Sequence, residues 1–392
     1  MSRRPRRRVG ARLEHEQKEV AFSAWPLAPN SNPTEFQQVL FAPSPWDIAR
    51  ASAHLNAPAA RLTEASAFID QGEEMHRAAA AGHRANPLLL YYAVNNLAKA
   101  LIIVRGYDRS LEKVRDGVAE QSGPGGWELR NSELLIEPSA EPTVFQLLAG
   151  ALGLTPPSTG SAIPVSDLLP QVVLGHRLYR SATGAPEQFA VVHELQFMHD
   201  PMGKTVWVDL LFDSGRLARA DVTSTTLISA GGLVDTFREV ESDLAGRRRF
   251  EMLAPFSYQT KPWERLEAVV AAVMPCLWST VGKAPPYRVH QVCLATANRV
   301  PQLLGLYLLH FAFGSITRHR PHRFEEVLSE PIGSFIVDFV SRQPEQLLYL
   351  LASEFAAREV VPGTRPPQAR GGGADPPGFP DLTYQTAARA TT

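Results

Sequence analysis

A long apolar segment, residues 86–105, constrains this chain more than any other feature of its sequence. It opens with Asn86 and Pro87, an N-cap followed by a first-turn proline, and Gly106 follows its last residue. These signals predict a helix of about twenty residues. Its apolar residues go nearly all the way round, which is typical of a helix enclosed by protein. A membrane span is the competing interpretation, and the central Lys99 argues against it because inserting a lysine there costs about 2.5–3.5 kcal/mol.

A narrow polar stripe interrupts this apolar helix. Tyr91, Asn95 and Lys99 follow one another at intervals of four residues, so they share one face of the helix. Buried amides and ammonium groups need partners, because an unpaired one costs about 1–3 kcal/mol. Two interpretations follow. The stripe is either a buried polar network that sets the register of the helix, or the lining of a groove that faces a ligand or RNA.

Other helices are predicted on both sides of this segment. Residues 60–81 have helical spacing and are followed by Gly82, so they should form an antiparallel hairpin with the central helix. Further helices are expected at 143–152, 166–181, 232–245, 262–273, 301–317, 324–329, 331–341 and 344–360. Several of them begin with proline, as first helical turns often do.

Strand signals are confined to the middle of the chain. Residues 189–199 and 204–212 flank Asp200-Pro201-Met202-Gly203, which suits a type I turn, and they predict a β-hairpin near 189–212. Residues 248–258 and 127–136 could add two strands. The expected fold class is therefore mainly α, of α+β type. It is a helical bundle around a buried central helix with a small inserted antiparallel β-sheet.

The amino-acid composition limits which kinds of protein this chain can be. The 392 residues carry 39 Lys and Arg against 40 Asp and Glu, so any nucleic-acid contact must be local. Two cysteines exclude a disulfide framework and favour a reducing, cytoplasmic setting. The ends have little to bury. Residues 1–20 are expected to be a disordered basic arm, 21–362 a single mainly helical body, and 363–392 a disordered tail rich in proline and glycine.

Motifs for catalysis and cofactor binding are absent or incomplete. Gly203-Lys204-Thr205 resembles the end of a phosphate-binding loop, but Met198 stands where that motif needs glycine. No GxSxG or GxGxxG sequence occurs. We therefore assign no catalytic residue, no metal and no cofactor from the sequence.

Basic residues cluster between 318 and 323. Arg318 and Arg320 alternate with histidines there, and such a neighbourhood favours an anionic partner such as phosphate or carboxylate. The alternative is a solvated helix end whose cations complement the helix dipole. The arginines of residues 3–12 could similarly attract RNA, DNA or anionic lipid, with a solubilising tail as the alternative.

The central helix also carries a family resemblance. The run Asn86-Pro87-Leu88-Leu89-Leu90-Tyr91-Tyr92-Ala93-Val94-Asn95-Asn96-Leu97-Ala98-Lys99-Ala100-Leu101 resembles a helix of the YaaC-like family of bacterial proteins. Gly305-Leu306-Tyr307, continuing to Arg318-His319-Arg320-Pro321 and Phe324-Glu325-Glu326-Val327-Leu328, is similar to that family's tyrosine-containing helix and Arg-x-x-Pro turn. The resemblance covers residues 40–360.

The resemblance implies no particular reaction, since none is agreed for the family. The function that we expect is that of a non-catalytic binding or interaction protein of the YaaC-like type. Tyr91, Asn95, Lys99, Arg318 and Arg320 are its candidate ligand-binding residues. The partner classes left open are RNA or another anionic ligand, and a protein, with no membrane span.

The alternative function is a metal-independent ribonuclease or toxin, because the family's helical hairpin is similar to that of HEPN domains. Arg77 and His83 have the spacing of the HEPN catalytic pair. However, this chain has Asp116-Gly117-Val118 where the family typically has His-Gly-Leu, and this departure removes the natural catalytic histidine.

Overall fold

The computed structural model describes residues 4–26, 39–81, 86–122, 128–295 and 298–363. Within these ranges the chain forms twelve α-helices. They are α1 Pro45–Asn56, α2 Leu62–Ala81, α3 Asn86–Val104, α4 Val144–Ala151, α5 Val165–Leu168, α6 His176–Thr183, α7 Ser214–Arg219, α8 Ser224–Ala230, α9 Leu266–Val273, α10 Gln302–His319, α11 Pro321–Ser329 and α12 Gly333–Ala356.

Sixteen strands in the described ranges form five sheets. They are β1 Ala11–Arg12, β2 Glu14–His15, β3 Lys18–Glu19, β4 Leu40–Ala42, β5 Val118–Ser122, β6 Ser132–Ile136, β7 Ala162–Pro164, β8 Phe189–Val191, β9 Glu194–Asp200, β10 Thr205–Asp213, β11 Phe237–Val240, β12 Arg247–Met252, β13 Phe256–Ser257, β14 Leu277–Val281, β15 Arg288–Cys293 and β16 Val360–Pro362. The largest sheet has the order β1-β9-β10-β12-β11, with β13 also paired to β10. A second has the order β14-β15-β8.

The prediction of a helical bundle with one small sheet is wrong. The described residues are 47% helical and 20% strand, and the strands lie in several sheets, so the fold is a mixed α+β fold. The error comes from strands that lack a clear alternation of apolar and polar residues. In β14 and β15 all residues but three are buried, so a period of two is hardly visible there.

The central helix lies where the apolar pattern predicted it. Most of α3 is buried, including Asn95 and Asn96. Within the described residues it is the one helix long and apolar enough to cross a membrane, and 78% of its most apolar stretch is enclosed by protein. It pairs with α2 as the predicted antiparallel hairpin: Asn96 contacts Gln71, and Lys99, one turn further on, lies against Phe68.

Two hydrophobic cores organise the molecule. The helical core surrounds α3 and includes buried side chains of α1, α2, α4, α10 and α12. The sheet core is formed mainly by side chains of the largest sheet and of α9. β14 contributes to both, since Leu277 belongs to the sheet core and Val281 to the helical core. The two cores therefore adjoin along this strand.

Several predicted elements differ in the structure. Residues 232–245 were predicted as a helix but contain β11, whose buried Phe237 and Val240 pack at the edge of the largest sheet. The two helices predicted at 331–341 and 344–360 are a single helix, α12, with Pro344 inside it. Residues 189–199 contribute to two sheets, as β8 and β9, while β9 and β10 form the predicted hairpin.

The N-terminal residues also differ from the expected disordered arm. Residues 4–20 lie along the largest sheet, where β1 pairs with β9 and Leu13 is fully buried in the sheet core. The charge of this segment is neutralised locally, because Arg4, Arg7 and Arg8 each contact a carboxylate. The predicted disordered tail, apart from residue 363, lies outside the described residues.

Candidate functional site

Two members of the predicted polar stripe lie in a buried network. The Tyr307 hydroxyl of α10 donates a hydrogen bond to Asn95 Oδ1 over 2.9 Å, and Asn95 Nδ2 donates to Asp116 Oδ1 over 3.2 Å. The Tyr91 ring packs edge-on against Tyr307 and Phe311. Burial raises the pKa of the Tyr91 and Tyr307 hydroxyls, so both remain protonated at neutral pH. Asp116 thus accepts a hydrogen bond from the central helix.

Lys99 does not join this network. Its ammonium lies 5.4 Å from the centre of the Phe68 ring, on the side of α3 that faces α2. Four residues of an α-helix cover one full turn plus about 40°. A residue eight positions after Tyr91 therefore points about 80° away from it around the helix axis. The three residues therefore share a stripe on the helix but not a single environment.

The two arginines of the predicted basic cluster have separate partners. Arg320 Nη1 contacts Glu120 Oε1 over 2.7 Å, and the Glu120 side chain is only 3% exposed. Ser315 donates to the other oxygen of the same carboxylate. Arg318 is exposed and its Nη1 contacts the Tyr92 hydroxyl over 3.3 Å. The structure joins these arginines to α3 and β5, but it does not bring them to a pocket with Asn95 or Lys99.

The pair proposed for RNA cleavage cannot be assembled from the described residues. Arg77 contacts Glu73 on its own helix, and His83 lies outside the described ranges. The likeness of the hairpin to HEPN domains is not shown.

A cleft lies where the two cores meet, and sequence reasoning did not find it. It has a volume of about 110 Å³ and is lined mainly by apolar side chains. Its apolar walls are Leu152, Leu154, Met274, Leu277, Leu303 and Leu350, which come from both cores or from residues packed against them. Ligand pockets often form at such junctions, with few polar groups on apolar walls.

Arg288 is the main polar group of this cleft. Its side chain is 4% exposed, its Nη2 donates to Ser353 Oγ over 2.8 Å, and its guanidinium lies 5.4 Å from the Trp25 ring centre. Within the described residues its Nε–H has no hydrogen-bond acceptor. Glu359 Oε2 is 4.0 Å from Nε, which is an ion pair but too long for a hydrogen bond. Burial lowers the pKa of Arg288, although the guanidinium remains charged at neutral pH.

Charges of both signs lie around the cleft. Glu354 lines it, and Arg105 Nη2 contacts that carboxylate over 3.3 Å. Arg288 lines it as well and lies 4.0 Å from Glu359. The Nε–H of Arg288 remains a buried donor without an acceptor among the described residues.

Ser279 and Gln302 complete the polar lining. Gln302 accepts from the Ser279 N–H and donates to its carbonyl, so this side chain acts as a neighbouring strand for the open edge of β14. The Ser279 hydroxyl lies 3.0 Å from His290 Nδ1. Burial lowers the pKa of His290 to about 3, with Arg288 adding to the effect. A base this weak does not activate a serine at neutral pH, so we interpret the pair as structural.

No single-sequence signal marks this cleft. Trp25 and Arg288 are far apart in sequence, and neither stands in a recognisable motif. Among the described residues, no three His, Cys, Asp or Glu side chains are placed to hold a metal ion.

Comparison with known proteins identifies the family. Residues 35–355 match the model of the YaaC-like protein family, which extends over most of the chain, the central helix and α10 included. Neither the curated proteins nor the solved structures contain a match. The matched range also covers most of the cleft lining, though not Trp25. This chain is therefore a member of the YaaC-like protein family.

Proposed function

We propose that this YaaC-like protein is a non-catalytic binding protein whose cleft holds a small apolar molecule bearing one carboxylate. The observation that supports this proposal is the Arg288 guanidinium, which is buried and lacks an acceptor for its Nε–H at the wall of an apolar cleft. A buried unpaired donor costs about 1–3 kcal/mol, more when it is charged. A carboxylate in the cleft would add a charge-assisted interaction with this guanidinium, whose positive charge is delocalised over its three nitrogens.

The charges around the cleft select among anions. Because the carboxylates of Glu354 and Glu359 lie close to Arg288, a ligand with several negative charges would meet more repulsion there than a single carboxylate does. RNA and inorganic phosphate are accordingly poorer ligands for this site than a monocarboxylate.

The volume of the cleft limits the ligand further. A dry cavity of about 150 Å³ accommodates benzene, so about 110 Å³ corresponds to about four non-hydrogen atoms. The leucine and methionine walls favour a hydrocarbon portion, at about 0.8 kcal/mol for each buried CH₂ group. Short aliphatic acids are the matching class: propionate is close to the enclosed volume, and the longer chain of hexanoate would extend through the open side of the cleft.

The test is titration calorimetry of the full chain with hexanoate, hexanamide and inorganic phosphate. We expect hexanoate to bind with a dissociation constant in the millimolar to micromolar range, roughly what this few atoms can supply. Hexanamide should bind about tenfold more weakly because it forms no charge-assisted hydrogen bond. If hexanoate and hexanamide bind equally, or neither binds, the proposal is wrong.

Two matched variants on α9 locate the binding. Ala271 is exposed at the cleft, so Ala271→Trp should fill it and abolish hexanoate binding. Glu267 lies one turn earlier, is exposed and does not line the cleft, so Glu267→Trp should leave binding unchanged. Arg288→Lys keeps the charge but not the rigid fork of donors, and we expect about a tenfold loss. Equal binding by both tryptophan variants would place the ligand elsewhere.

A further inference from the structure

The second inference concerns the charged face of the largest sheet. Asp209 of β10 and Glu251 of β12 are cross-strand partners on this face, and both are almost completely buried. Arg249 contacts Asp209 over 3.2 Å and Asp243 over 3.1 Å, while Arg238 contacts Glu251 over 3.0 Å. Asp209, Asp243 and Glu251 thus share the contacts of Arg238 and Arg249 on this face, and burial raises the pKa of Asp209 to about 7, so that Asp243 and Glu251 carry its full negative charges at neutral pH.

Residues 4–12, which we call the arginine segment, cover this face. Arg7 contacts Asp243 over 2.6 Å, while Arg4, at the edge strand β11, contacts Glu239 over 2.9 Å on the other face of that strand. The backbone N–H of Arg8 donates to Glu251 Oε2 over 2.6 Å, and its guanidinium is 3.5 Å from the other oxygen of that carboxylate. The segment then joins the sheet at β1, which pairs with the edge of β9. This is the geometry by which proteins bind an extended peptide at a sheet edge.

The contacts of Arg8 are specific for arginine. Its two terminal nitrogens donate to the carbonyls of Met252 and Leu253, each over 3.1 Å. The guanidinium also lies 5.1 Å from the centre of the Trp207 ring, a cation–π contact. Lysine has neither the fork of donors nor the planar surface that these contacts use.

The two residues that follow differ in their requirements. The Val9 side chain is 78% exposed, so its identity should matter little. Gly10 passes so close to the Trp207 ring that a Cβ added there would lie 2.4 Å from it and 2.8 Å from the His199 carbonyl oxygen. Only glycine fits at this position without displacing the segment. The contacts thus define the pattern Arg-Arg-x-Gly, with a carboxylate for each arginine and no selection at x.

We propose that the acidic face formed by Trp207, Asp209, Asp243 and Glu251 is a binding site for an extended Arg-Arg-x-Gly peptide of a partner protein. The arginine segment is its occupant within the chain and competes with that partner. This site is separate from the cleft around Arg288, and neither proposal depends on the other.

The test uses the full chain and a fluorescent peptide with the sequence of residues 4–12, measured by anisotropy. In the Arg8→Ala chain the internal competitor is weakened while the acidic face is intact. We expect this chain to bind the peptide at least about tenfold more tightly than the wild type does, since removing a competitor raises apparent affinity. Adding Glu251→Gln to the Arg8→Ala chain should abolish the gain. Binding should weaken as salt rises.

Peptide variants separate recognition from simple charge attraction. The Gly10→Ala and Arg8→Ala peptides should each bind at least about tenfold more weakly, while the Val9→Thr peptide should bind within about twofold of the parent. Equal binding of the Gly10→Ala and Val9→Thr peptides would overturn the proposal, because it would mean that charge alone is recognised.

Two further results would also overturn the proposal. One is the absence of peptide binding by a folded Arg8→Ala chain. The other is a dimer that forms through the arginine segment and excludes the peptide, which would make a second copy the occupant. Thermal unfolding checks that the Arg8→Ala chain is folded. Should it not be, the Gly10→Ala chain displaces the segment by its contact with Trp207 and serves in its place.

Discussion

At the scale of single residues, the hydrogen-bond partners of the polar-stripe residues indicate whether each has a structural or a ligand-binding role. Asn95 uses both ends of its amide, toward Tyr307 and Asp116, and its side chain is buried. The oxygen and the nitrogen of this amide each bond to a protein group, and burial leaves the side chain little surface for a ligand to contact. For Asn95 the contacts favour a structural role over a ligand-facing groove.

Removing one hydroxyl tests this role. Tyr307→Phe should lower the free energy of unfolding by about 1–3 kcal/mol, because Asn95 Oδ1 then lacks its donor in a buried site. The measurement is urea unfolding followed by circular dichroism. The matched control is Tyr92→Phe, whose hydroxyl contacts exposed Arg318 and whose loss should cost less than about 0.5 kcal/mol. Similar losses in both variants would contradict the buried network.

At the scale of elements, α3 and α10 cross with their backbones close together at Gly314. A Cβ added to Gly314 would lie 2.8 Å from Tyr91 Cβ and 3.4 Å from the Pro87 carbonyl oxygen. The two helices therefore pack with almost no side chain between them at this point. The Tyr307–Asn95 hydrogen bond, two turns earlier on α10, requires the same spacing.

A pair of glycine substitutions measures this packing. Gly314→Ala gains about 1 kcal/mol of helix propensity, but overpacking costs about 1–3 kcal/mol, so we expect net destabilisation of about 1 kcal/mol. Gly150 in α4 has nothing within 4 Å of an added Cβ, so Gly150→Ala should raise the free energy of unfolding by about 0.5–1 kcal/mol. The idea of a tight crossing fails if urea unfolding shows both variants more stable than the wild type.

At the scale of the whole molecule, buried titratable groups couple stability to pH. Burial lowers the pKa of His310 to about 3, with His76 adding to the effect, and His290 in β15 is lowered similarly. Each histidine contributes stability above its unfolded pKa near 6.5 that is lost as pH falls toward 3. Burial raises the pKa of Asp209 to about 7, so its contribution is present at low pH and lost as pH rises toward 7.

The directions of these pKa shifts determine whether the protein gains or loses stability as the pH falls. Between about pH 4 and 6 His290 and His310 oppose Asp209, and burial also lowers the pKa values of His76, His176 and His199, so stability should fall on acidification with a slope of at least about 1.4 kcal/mol per pH unit. His310→Phe should reduce that slope by about 1.4 kcal/mol per pH unit, and Asp209→Asn should steepen it. Urea unfolding at pH 6, 5 and 4 measures all three slopes. An unchanged slope in His310→Phe would show that this imidazole is not held neutral.

The parts of this architecture that could be predicted are those specified by short-range sequence signals. Asn86-Pro87, Gly106 and the apolar residues between them act through a few neighbouring positions, so they specify α3 and its pairing with α2 without knowledge of the rest. The Asp200 to Gly203 turn specifies the β9–β10 hairpin in the same way. Residues 277–293 have no such local pattern, and the sheet that they form was missed.

Local sequence signals were sufficient to specify the central helix, its hairpin partner and one β-hairpin, because each depends on residues close together along the chain. The contact of Arg288 with Trp25 at a cleft, the separation of Lys99 from the polar network, and the position of the N-terminal arginines on the sheet appear only in the folded chain. Those contacts join residues far apart in sequence, and their energies arise from burial and charge pairing that exist only once the chain has folded.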